Sequence, residues 1–143
     1  MITKQDLVGS WLLQHWEAKN LETGEIKRPY GESARGLLMY NTDGWMSASL
    51  CSAEREPFPD YDSLINVAPE LKVAAFDDYF NYAGTYHLDG DEVIHDVEFS
   101  SSPNFPGSKQ IRTMKLEGDI LILGVENSGR AQLLKWKRSK AIK

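Results

Sequence analysis

The turn Leu88-Asp89-Gly90-Asp91, set between two runs of alternating apolar and polar residues, constrains this chain more than any other stretch. An Asp-Gly pair between such runs signals a β-hairpin, because glycine accepts the positive φ that tight hairpin turns require. Any even-numbered loop there puts even positions before the turn beside odd positions after it. One face then carries Phe80, Tyr82, Gly84, Tyr86 and Leu88 beside Val93, His95, Val97 and Phe99. The other carries Tyr79, Asn81, Ala83, Thr85 and His87 beside Ile94, Asp96 and Glu98. The first face is the apolar one and is predicted to point inward. His95 and two tyrosine hydroxyls thereby enter an aromatic, branched wall. A two-residue Asp89-Gly90 loop sets His95 opposite Gly84, where the missing side chain leaves room. A basic, polar spot in an apolar wall is what a small-molecule pocket needs.

The rest of the chain repeats the strand-and-turn pattern. Thr3 to Asp6 reads as a capped turn, and Leu7 to Glu17 as a long strand with Trp11, Leu13, His15 and Glu17 on one side. Leu21 to Glu25 is a turn and Pro29 to Glu32 a loop. Ala34 to Tyr40 and Trp45 to Cys51 form a hairpin around Asn41-Thr-Asp-Gly44. Its parity stays open. A four-residue loop groups Leu38 and Tyr40 with Trp45, Ser47 and Ser49, whereas a glycine bulge at Gly44 groups them with Met46, Ala48 and Leu50. Residues 53–67 do not alternate, and 68–78 place Pro69 in the first turn of a short helix. This long connection, 53–78, is a candidate gate over one end of the fold, or carries a plain surface helix.

Lys109 to Leu116 and Ile120 to Val125 pair across Glu117-Gly-Asp119, with Arg112 and Met114 on the inward face. Ala131 to Arg138 is the last strand. The prediction is an all-β, eight-stranded antiparallel up-and-down barrel with one short helix between strands 3 and 4. It closes between residues 8–18 and 131–138, since closure removes both exposed sheet edges.

Composition narrows the partners. With 143 residues, 1–143 reads as a single domain able to bury a core without disulfides. A net charge of -5 and the lack of a basic patch with interleaved aromatics argue against nucleic acid. A single cysteine, Cys51, gives neither a disulfide framework nor a thiolate metal site. The polar N-terminus does not resemble a signal peptide and no run approaches a membrane span, so a cytoplasmic address is expected, with no membrane partner. His87 and His95 point to opposite faces, and no phosphate loop, nucleophile elbow or dinucleotide fingerprint occurs. No metal and no cofactor are therefore expected.

Several stretches, taken together, resemble a known family. They are Leu7-Val-Gly-Ser-Trp-Leu-Leu13, Gly36-Leu-Leu-Met-Tyr-Asn-Thr-Asp-Gly-Trp-Met-Ser-Ala48, Tyr82-Ala-Gly-Thr-Tyr86, His95 with Pro103-Asn-Phe-Pro-Gly107, Gln110-x-Arg112 and Leu134-x-Trp136-x-Arg138. The chain resembles the lipocalin-like domain family, small calycin-type barrels of bacteria and fungi, almost end to end; residues 53–78 match least. The resemblance implies the barrel, a Gly-x-Trp tryptophan (Trp11) packed on a basic residue of the closing strand, and a recurrent His and Arg at His95 and Arg112. It implies no catalytic set.

Candidate ligand-binding residues are Tyr40, Phe80, Tyr82, Tyr86, His95, Val97, Phe99, Arg112 and Met114. Burial should keep His95 neutral and fit to accept a proton. A lone histidine on such a wall is also a common core residue held by one hydrogen bond. A buried Arg112 needs a carboxylate, a carbonyl or an anionic ligand; Glu17 and Glu98 are the candidate ion-pair partners. The expected function is binding of a small, partly apolar molecule bearing a carboxylate, enol or phenol. The alternative is a cofactor-independent cyclase, isomerase or dehydratase in which His95, Arg112 and Tyr82 are catalytic. A module serving only protein interaction would need an exposed apolar stripe, and the sequence identifies none. Oligomeric state is not legible.

Overall fold

The computed structural model describes residues 1–59 and 66–142. Its nine strands are β1 (Gly9–Asn20), β2 (Ile26–Lys27), β3 (Arg35–Tyr40), β4 (Trp45–Cys51), β5 (Tyr79–Asp89), β6 (Glu92–Ser100), β7 (Lys109–Glu117), β8 (Ile120–Asn127) and β9 (Arg130–Arg138). Helices α1 (Lys4–Leu7) and α2 (Pro69–Asp77) complete the described elements. All pairings are antiparallel, and β1 joins β9 from Trp11↔Arg138 to Asn20↔Arg130. Eight long strands therefore form a closed barrel. Two details depart from the expectation. The helix lies after β4 and before β5 rather than between strands 3 and 4. The segment after the first turn adds a ninth strand, β2, which pairs through Ala18↔Lys27 and Lys19↔Ile26. Two exposed residues pair there with no alternation to announce them.

Turn chemistry sets the register. Gly90 and Gly118 each take φ +62° as the first residue of a two-residue loop, a position that favours glycine in hairpins. The loop of the central hairpin is thus Gly90-Asp91 and not Asp89-Gly90. The even count keeps the predicted faces but sets His95 opposite Tyr86. Gly84 faces Val97 instead, and it serves the backbone: a Cβ there would lie 1.9 Å from the Asp96 carbonyl oxygen. Beside it the register slips between Ala83 and Gly84, leaving Glu98 as an extra residue. Parity inverts past that bulge, so Phe99, predicted inward, pairs with Ala83 and is 62% exposed.

A second bulge on β1 shifts the register between Leu13 and His15 and turns Trp16 and buried Ala18 toward the interior. In the β3–β4 hairpin Gly44 has φ +95° and Tyr40 pairs with Met46, which selects the glycine-bulge alternative. The outer wall also carries exposed Leu12, Met39 and Trp45, apolar positions the alternation did not group together.

One end of the barrel is sealed. Thr3 and Asp6 cap α1 reciprocally, and Leu7 packs fully buried beneath it. Trp11 Nε1 donates to the Leu7 carbonyl at 2.9 Å. The Arg138 guanidinium lies 4.1 Å from the Trp11 ring centre and donates to the Val8 carbonyl at 2.9 Å and to the Asp6 carbonyl. Leu38, Tyr40, Met46, Tyr86, Val93, Leu121 and Trp136 belong to the core cluster.

α2 has no buried residue. No residue of α2 lines the interior cavity. It is a surface helix, and residues 60–65 of the candidate gate lie outside the described residues. No helix among the described residues is long and apolar enough to cross a membrane.

Candidate functional site

Inside the barrel, away from α1, is a cavity of about 160 Å³. Its wall includes Phe80, Tyr82, His95 and Arg112, all predicted to line it. The other candidates do not line it. Tyr40, Tyr86, Val97 and Met114 are buried core residues, and Phe99 is outside. Residues not anticipated complete the wall: Trp16, Leu38, Ala48 and Leu50 from β1, β3 and β4, Phe105 from a loop, and Leu123, Val125, Gln132, Leu134 and Trp136 from β8 and β9. The β1 bulge hid Trp16. The glycine bulge at Gly44 settled Leu38, Ala48 and Leu50. Phe105 stacks on Tyr82 with ring centres 6.0 Å apart and meets Phe80 edge-on at 5.0 Å, a loop contact that strand alternation does not signal.

Among the described residues His95 is the one buried polar side chain, 1% exposed. Both its nitrogens are engaged: Nε2 lies 2.7 Å from the Tyr40 hydroxyl and Nδ1 2.7 Å from the Tyr82 hydroxyl. Burial first, and the field of the Arg112 guanidinium second, lower its pKa from 6.5 to about 3. It is therefore a neutral imidazole at neutral pH, one nitrogen donating and the other accepting. Burial also pushes the Tyr40 hydroxyl well above its ordinary pKa and raises Tyr82, with Arg112 opposing both shifts. Neither tyrosine ionises near neutrality.

Arg112 is half-buried rather than fully enclosed. It donates to the Ile111 carbonyl at 2.9 Å and to Gln110 Oε1 at 3.3 Å. Neither predicted carboxylate partner is used. Glu17 pairs with His15 at 2.9 Å, and Glu98 is exposed at the bulge itself. Among the described residues Arg112 has no ion pair, and it lines the cavity. The remaining polar wall is also donor-rich. Gln132 spends its Oε1 on Trp16 Nε1 at 3.0 Å. The buried Trp136 Nε1 has no hydrogen-bond partner among the described residues. Among the described residues no carboxylate lines the cavity. Arg112 thus leaves a positive charge on a largely apolar, aromatic wall.

Among solved structures, the chain is similar to the REP1-NXSQ fatty acid transporter at 15% identity and TM-score 0.47, covering 96% of this chain and 99% of that one. It is also similar to the wild-type fluorescent protein UnaG at 9% identity and TM-score 0.44, covering 96% and 100%. No curated protein matches by sequence. Residues 8–141 match the lipocalin-like domain, and with the closed barrel and the Trp11–Arg138 contact in place, the chain belongs to the lipocalin-like domain family.

Proposed function

We propose that the protein binds a small, partly apolar molecule inside its barrel and holds it by a carboxylate, enolate or phenolate oxygen at Arg112. The observation that carries this reading is a guanidinium on the wall of an apolar, aromatic cavity with no carboxylate partner among the described residues. A guanidinium is best satisfied by a planar anion, to which it can donate two parallel hydrogen bonds. The cavity of about 160 Å³ suits a molecule of roughly benzene size or slightly larger. Aromatic residues on several sides favour an aromatic or unsaturated body.

Holding is favoured over turnover because both nitrogens of His95 are occupied by tyrosine hydroxyls, leaving none free to take a substrate proton. Calorimetric titration with benzoate, acetophenone and ethylbenzene tests the reading. Benzoate should bind most tightly. Arg112→Met should weaken benzoate by about 2 kcal/mol, the low end for a charged contact because the residue is half-buried, and leave acetophenone unchanged. Equal benzoate affinity in the wild type and the variant would remove Arg112 from the site.

A further inference from the structure

We propose that Tyr40 locks His95 in the tautomer protonated at Nδ1, and that this turns the Tyr82 hydroxyl into a dedicated donor aimed at a second oxygen acceptor on the ligand. The inference rests on the reading of the cavity as a ligand site and adds a donor that does not depend on charge.

The number of hydroxyl and imidazole protons fixes the arrangement. Tyr40 is 1% exposed and does not line the cavity, and its hydroxyl has one partner among the described residues, His95 Nε2. If Nε2 carried the proton, it would donate to Tyr40, whose own hydroxyl proton would then be buried with no protein acceptor. Orphaned buried donors are strongly disfavoured. Tyr40 therefore donates to Nε2, which must be bare, and a neutral imidazole then carries its proton on Nδ1. Nδ1–H donates to Tyr82 at 2.7 Å, so the Tyr82 oxygen serves as acceptor and its own proton remains unspent.

Tyr82 lines the cavity, and Trp136 lines it too, although its own unpartnered Nε1 is enclosed. A carbonyl or a second carboxylate oxygen on the ligand satisfies Tyr82, whereas an alkyl group leaves its proton orphaned. The chain of bonds ends at Tyr40 with no described residue beyond it, so it orients protons without passing them to solvent. Tyr40 is a positioning residue, acting on the ligand through His95.

The test has two parts. Nitrogen-15 NMR of the unliganded protein reads the tautomer with no ligand present. The expected result is His95 protonated at Nδ1 alone; protonation at Nε2, or an even mixture, overturns the proposal. Tyr40→Phe removes the lock and should let the other tautomer appear, while an unchanged pure Nδ1–H signal in a folded variant also overturns it. In the second part, wild-type protein should bind acetophenone about tenfold more tightly than ethylbenzene, and Tyr82→Phe should erase that preference. Equal binding of the two by the wild type, no binding of either, or a preference that survives in Tyr82→Phe overturns the donor role. Failure of Arg112 shows separately, as loss of the benzoate advantage over acetophenone, which does not bear on Tyr82.

Discussion

The two ends of the barrel use the same residue types in opposite ways. At the sealed end, Arg138 meets the Val8 and Asp6 carbonyls and the face of Trp11, while Trp11 Nε1 meets the Leu7 carbonyl. In the cavity, Arg112 has only the carbonyl beside it and Gln110, and Trp136 Nε1 has no partner among the described residues. The difference lies in what α1 supplies. A capped helical turn delivers backbone carbonyls over one end, and among the described residues no helix lines the cavity at Arg112 and Trp136. Satisfied donors lock one end of the fold, and the proposed ligand would answer the donors left over at the other. Fold class alone does not distinguish the two roles for an arginine or a tryptophan.

The largest expected effect lies at the sealed end. Trp11→Ala removes a fully buried indole, the surface over which Arg138 lies, and should cost about 3–5 kcal/mol in denaturant unfolding. A loss below about 1 kcal/mol would mean that this end does not hold the barrel shut.

The next effect is pH dependence between the two ends. His95 has its pKa lowered from 6.5 to about 3, so below pH 6.5 the unfolded chain binds a proton that the folded chain refuses. Stability from this group is complete above pH 6.5 and falls as pH drops toward 3. The loss should be about 2 kcal/mol between pH 6.5 and 5. His95→Gln should flatten that interval in urea titrations; an unchanged slope would contradict a buried, neutral His95.

The smallest effect is expected in the cavity. Arg112→Met should change stability by no more than about 0.5 kcal/mol, because the guanidinium it removes closes no ion pair among the described residues. A loss as large as that of Trp11→Ala would make Arg112 a structural residue and dissolve the contrast.

Much of this architecture was legible in the residues, because alternation and turn chemistry are local. The central hairpin, the inward face of His95, Tyr82 and Phe80, and the closure of β1 on β9 follow from side-chain period and glycine turns. The bulges were harder. An extra residue at Glu98 or Gln14 inverts every face beyond it, which expelled Phe99 and admitted Trp16. Gly84 carried a usable signal, since a lone glycine within a strand often marks a bulge. No comparable residue marks Gln14. Phe105 comes from a loop, whose placement over Tyr82 depends on the finished barrel. The Tyr40–His95–Tyr82 chain was half legible: parity found His95 and Tyr82, but Tyr40 waited on the choice between two loop geometries at Gly44.

The most direct test of the contrast between the ends is a map of amide and side-chain NMR shifts as benzoate is added to the whole protein. The account predicts that the responding signals are those of the cavity wall, with the Trp16 and Trp136 indoles and the amides of Tyr82, Phe105 and Arg112 foremost, while Leu7, Trp11 and Arg138 stay still. Shifts confined to the sealed end, or to Leu12, Met39 and Trp45 on the outer wall, would contradict it.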